Sequence, residues 1–200
     1  HSCTSATCDR PPAPADRASC QPLDAWGQPL VGVVYMPLLN ELFVGVAGQG
    51  ATLNGVPIRA SDVTTLEESI VATGFGKTEE GMKRMLSGSH ALARRVRKIR
   101  CLGAAAYDFA NVACGRLTGM FEKGLHAWDL AAGRVILEAA GGALDAFEYA
   151  PGRWDVVAGG RGILPDLRRA VRDESASPPV RDSEEIKRPI RSERQRGRRK

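Results

Sequence analysis

Glu122, His126 and Asp129 all fall within the eight residues "EKGLHAWD". They stand in a passage from an expected strand to an expected helix, and a run of small apolar residues, "LAAG", follows. A carboxylate at the start of a helix has two physical uses. It can cap the helix, because its oxygen accepts from an early backbone N–H, a contact typically worth about 0.5–2 kcal/mol. It can also hold a hard cation shared with an anionic ligand, a role to which a second carboxylate seven residues upstream lends itself. Asp129 falls where an N-cap is expected, so capping accounts for it alone. The polar density around it favours the ligand reading, and local chemistry leaves both open.

Other chemistry finds less support. "GFGKT" at 74–78 follows a strand and precedes a helix, but a phosphate-binding loop needs glycine at position 71, where Val71 stands. A strand-to-helix connection with a solvated Lys77 is the expectation. "GVAGQG" at 45–50 has the wrong glycine spacing for a dinucleotide fingerprint and lies between strands. There is no GxSxG, and with three histidines a nucleophilic triad has little basis. His90 reads as structural, and Cys101 and Cys114, flanked by small or apolar residues, read as buried inert thiols.

The elements that must position these residues follow from pattern. "LVGVVYM" (30–36) and "ELFVGVAG" (41–48) are β-rich, and Asn54-Gly55 between two apolar pieces marks a hairpin turn whose central residues both take positive φ. "SIVATG" (69–74) reads as a buried strand. A helix follows from Glu79 to about Lys98, its apolar face built from Met82, Met85, Leu86, Leu92, Ala93 and Val96. Then come a strand "KIRC", a helix from about Ala104 to Cys114 and a strand at 117–122. A helix from Asp129 to Ala140 is ended by Gly141-Gly142. Strands "ALDAF" and "DVVAG" and a last helix through Leu164, Leu167, Ala170 and Val171 complete the reading. Strands first, then strands and helices alternating, predict a layered α/β architecture with mixed sheets.

Composition bounds the rest. Two hundred residues with 43% hydrophobic content make one domain. The net charge is +5, but residues 173–200 carry nine Lys and Arg against six Asp and Glu, so the body is near neutral and nucleic-acid binding is not expected beyond that tail. Residues 1–18 and 173–200 have little to bury and are expected to be disordered. Five cysteines without CxxC spacing point to a reducing compartment, and no apolar run reaches the roughly 20 residues that span a bilayer. A cytoplasmic protein without a membrane partner is the expectation.

With these pieces in place the chain resembles the inositol monophosphatase family of magnesium-dependent phosphomonoesterases, which share a fold with fructose-1,6-bisphosphatase. Trp128, Asp129, Ala132, Gly133, Ile136, Gly141 and Gly142 match the signature WDxxAGxxIxxEAGG, and "AAGG" preceded by Glu138 stands where the family usually has "EAGG". "VGVVYMP" resembles VGVVYDP, with Met36 in place of the Asp, and "ATLNGVPIRAS" resembles AxLNGxPIxVS. The stretch from Leu102 to Asp129 resembles the GSAALDLxxVAxGRLDGxxE run. The similarity covers residues 19–172.

The resemblance implies roles. Asp129 matches a ligand of the second Mg2+, on the leaving-group side. Glu122 matches the acidic residue that binds substrate hydroxyls, and Gly103-Ala104-Ala105 matches the backbone segment lying against the substrate. His126 is near the pocket without an assigned role. The implied substrate is a small phosphate monoester, an inositol phosphate or a relative, and the implied partner is a second copy in a homodimer. The family's upstream "GEE" and "DPxDGT" segments have no counterpart here, and the chain begins with His1. The expectation is therefore an N-terminally truncated, C-terminal portion, with hydrolysis impaired. The alternative expectation is an inactive fragment that binds a partner or dimerises.

Overall fold

The structure is a computed structural model and describes residues 17–20, 29–76 and 78–172. The leader 1–16, the segment 21–28, Lys77 and the tail 173–200 lie outside the described residues. The expected leader boundary at 18 is displaced, because Arg17–Cys20 forms strand β1 paired with the next strand.

A first sheet is an antiparallel meander of β1, β2 (Val31–Met36), β3 (Glu41–Val46), β4 (Gly50–Leu53) and β5 (Val56–Ile58), in that order. Strand β2 alternates so that Val34 and Met36 are buried, the pattern of a sheet with one face on a core. Asn54 (φ 50) and Gly55 (φ 81) make the expected turn between β4 and β5. The Asn54 side chain also accepts from the Leu42 N–H at 2.8 Å and donates to the Asn40 carbonyl at 2.9 Å, tying this turn to the one before β3.

The second sheet is mixed, with order β7-β6-β8-β10-β9. Its strands are β6 (Ile70–Thr73), β7 (Lys98–Arg100), β8 (Gly119–Leu125), β9 (Gly142–Ala150) and β10 (Arg153–Gly160). Strand β6 runs parallel to β7 and β8, and β10 is antiparallel to β8 and β9. The connections are α1 (Glu79–Ala93), α2 (Ala105–Ala113) and α3 (Ala127–Ala139), and α4 (Leu164–Arg172) closes the fold. Helix α1 stops at Ala93, short of the expected Lys98, because pairing with β6 requires extended backbone from Lys98 onward. Its buried stripe is Met85, Gly88, Ala91 and Leu92, whereas Met82 and Leu86 are exposed beside it.

Neighbouring residues of the second sheet enter different cores, so it is covered on both faces. Ala72, Met120, Val156 and Ala158 pack with Val34, Phe43, Phe109 and Ile136, in the layer of α2 and α3 between the two sheets. Val71, Phe121 and Val157 pack with Met85, Leu92, Ile163 and Leu167, under α1 and α4. The order of layers is sheet, helices, sheet, helices.

Small residues let α3 seat deeply. A Cβ at Gly32 would collide with the Ala132 carbonyl oxygen, and one at Gly45 would lie 2.5 Å from the Ile136 Cα. On its other side Gly133 lets the helix touch Phe109 of α2, where a Cβ would stand 2.6 Å from the Phe109 Cβ. No helix among the described residues is long and apolar enough to cross a membrane.

Candidate active site

The site lies at the carboxyl ends of the parallel strands β6, β7 and β8, where α2 and α3 begin. Such crevices in α/β sheets expose strand-end loops and helix N-termini together. Helix α3 starts at Ala127, two residues before the expected Asp129, with His126 as N-cap. Asp129 is therefore at the third helical position, not at the N-cap. Its Oδ2 accepts from the His126 backbone N–H at 2.9 Å, reaching back as the acidic residue of a capping box does. The His126 ring stacks on Trp128 with centroids 4.2 Å apart, and its Nδ1 is 3.2 Å from the Gly152 carbonyl oxygen.

Glu122 is carried by β8 and is 9% exposed. Its carboxylate lies against Gly74, just past β6, where a Cβ would be 2.8 Å from Oε1. Burial pushes the Glu122 carboxyl up to about 6, a hydrogen bond with Asp108 pulls it down, and the charge of Asp129 pushes it up again. Asp108 and Glu122 are thus two carboxyl groups that meet in one buried place.

Asp108, fully buried in the first turn of α2, is not among the residues the sequence singles out. Its signal was a single acid inside the otherwise apolar "AAYDFANVA".

Gly103 (φ 95) turns the chain into α2, whose N-cap Ala104 offers no side-chain hydrogen bond to the first N–H groups of the helix. Cys101, expected to be buried, is exposed at the end of β7. Its thiol is pushed up by partial burial and then by the charges of Asp108 and Glu122, which makes it a poor nucleophile and places it beside them. Cys114 is half-buried, its Sγ 3.5 Å from the Asn111 carbonyl. Thr78 of "GFGKT" uses its hydroxyl to cap α1, accepting from the Gly81 N–H at 3.1 Å. Met36 is a core residue, 7% exposed.

Asp108 and Asp129 both act on the Glu122 carboxyl. No group of three or more His, Cys, Asp or Glu side chains among the described residues is placed to hold one metal ion. These residues by themselves do not make a complete cation site.

The family model described as "Inositol monophosphatase family" matches residues 24–174, and the chain belongs to that family. It is 40% identical to an inositol-1-monophosphatase of Synechocystis over 127 residues, which is 62% of this chain and 43% of that protein. It is 38% identical to the Nus factor SuhB of Escherichia coli over 152 residues, 74% of this chain and 57% of that one. The structure of the inositol monophosphatase from Anabaena (Nostoc) superposes with a TM-score of 0.68 at 38% identity, covering 77% of this chain and 62% of that one. Mycobacterium tuberculosis SuhB gives 0.72 at 27% identity, covering 82% and 66%. The chain therefore spans less than half the length of the Synechocystis relative and just over half of the Escherichia coli one.

Proposed function

We propose that this chain carries the leaving-group side of a magnesium-dependent phosphomonoesterase site for a small phosphate monoester of the inositol phosphate kind. The observation that carries the reading is the meeting of Glu122, Asp129 and the start of α2 at one end of the second sheet. In this reading Glu122 binds substrate hydroxyls, and the backbone at Gly103, Ala104 and Ala105 lies against the substrate, with a helix N-terminus favouring its negative charge. Asp129 contributes one carboxylate to the ion on the leaving-group side.

Magnesium is a hard cation that wants several oxygen ligands. Water and substrate oxygens can fill part of that shell, but no group of three acidic, His or Cys side chains among the described residues is there to complete it. Alone, the chain is expected to hydrolyse weakly. That same shortage favours a second reading, in which the chain binds a partner without turnover. Phe75, Leu102 and Trp128 are 45%, 41% and 54% exposed beside Gly74, Gly103 and Asp129, as expected of a rim that another polypeptide covers, a second copy included.

Release of phosphate from inositol 1-phosphate with excess Mg2+ separates the two. Turnover that disappears in Asp129→Asn supports the enzyme. No turnover in the parent chain supports the binding module, and turnover unchanged in the variant refutes the role of Asp129.

A further inference from the structure

Asp155, on β10, is buried, with 9% of its side chain exposed, and its two oxygens face two different elements. Oδ2 accepts from Arg84 Nη2 of α1 at 2.6 Å, and Oδ1 accepts from the backbone N–H of Gly124 at 3.1 Å. The Gly124 carbonyl accepts from Arg153 Nη1 at 3.1 Å, so both polar backbone groups of this residue are held by side chains of β10. Gly124 sits at φ 84, and a Cβ there would lie 3.3 Å from the Tyr149 hydroxyl. The face of that same Tyr149 ring carries the Arg84 guanidinium, 3.7 Å from its centre.

The pairing of β8 with β10 shifts register between Trp154 and Asp155. Gly124 is the residue this shift leaves out of the ladder, between the Asp155–Lys123 and Trp154–Leu125 pairs, and the Asp155 carboxylate holds its N–H there instead. Two residues later the His126 N–H holds Asp129 Oδ2. A charge-assisted bond at Gly124 thus stands two residues along the chain from the amide that holds Asp129.

We propose that Asp155, fixed by Arg84, is a positioning residue that aims the β8–α3 connection and with it Asp129. The proposal rests on the reading of Asp129 as a site residue given above, but its test does not pass through turnover. Native-state amide hydrogen exchange by NMR on the full chain compares the parent with Asp155→Asn and Arg84→Met. The expected result is exchange at the Gly124 and His126 amides faster by roughly tenfold or more relative to the amides of β2 and β3. Exchange at those two amides that is unchanged, or that rises only by the factor seen in β2 and β3, overturns the proposal, since a merely structural contact would loosen the whole domain. Should Asp155→Asn fail to fold, Arg84→Met leaves the carboxylate in place and carries the same two readings. A parent chain without phosphatase activity would favour the binding reading of the site and leave the exchange result standing.

Discussion

Asp129 Oδ2 accepts the backbone N–H of His126 at 2.9 Å, so one carboxylate oxygen is committed to the helix start. Capping and ligand binding are therefore two jobs of one side chain, and substitution can separate them. Asp129→Ala is expected to lose about 1 kcal/mol of stability, while Asp129→Asn, which keeps an acceptor oxygen, loses less. Both are expected to lose any phosphate release. Urea denaturation beside the phosphate assay checks this; a variant with full stability loss and intact turnover would reduce Asp129 to a cap.

Glu122 gives a pH dependence with a definite sign. Its carboxyl is raised from 4.5 to about 6, mainly by burial, so between those values the folded state holds the proton more tightly than the unfolded one. The resulting stabilisation is fully present below the unfolded value and is lost as pH rises through about 6. The difference amounts to about 2 kcal/mol, and Glu122→Gln is expected to remove it. Denaturant midpoints of parent and variant at low and neutral pH measure it, and parallel curves for the two proteins would contradict the assignment.

Asp108 lowers the Glu122 titration through their hydrogen bond. Asp108→Ala is accordingly expected to move Glu122 above about 6, as followed by 13C NMR of the side-chain carboxyl. A titration that stays in place would show that Asp108 does not act on Glu122.

Gly32 and Gly45 give α3 its depth against the first sheet, with Ala132 and Ile136 directly above them. Alanine at either position has backbone atoms in its way, so a cost of about 1–3 kcal/mol is expected. Thermal or urea unfolding measures the loss, and variants as stable as the parent would mean that α3 can lift without penalty.

Much of this arrangement was readable along the chain. Their β-rich composition marked β2 and β3, and Asn54-Gly55 announced its turn because few residue pairs accept two positive φ values in succession. Gly141 ended α3, and Glu122 and Asp129 stood out because carboxylates are costly beside small apolar runs. These are local effects, decided by neighbours within a few residues.

What the tertiary structure alone decided concerns pairs far apart in sequence. Gly74 meets Glu122, Arg84 meets Asp155, and Asp108 meets Glu122 only after β6, β8, β10 and α2 have assembled. Cys101 looked buried from its neighbours, yet it is exposed because β7 is an edge strand. Asp129 looked like an N-cap, but β8 ends at Leu125 and the helix begins at once, which moves the acid one turn inward. Sequence by itself determined which side chains carry charge into the fold. Burial and long-range contact, which depend on the packing of every layer at once, decided which of them lie together and where Asp129 points.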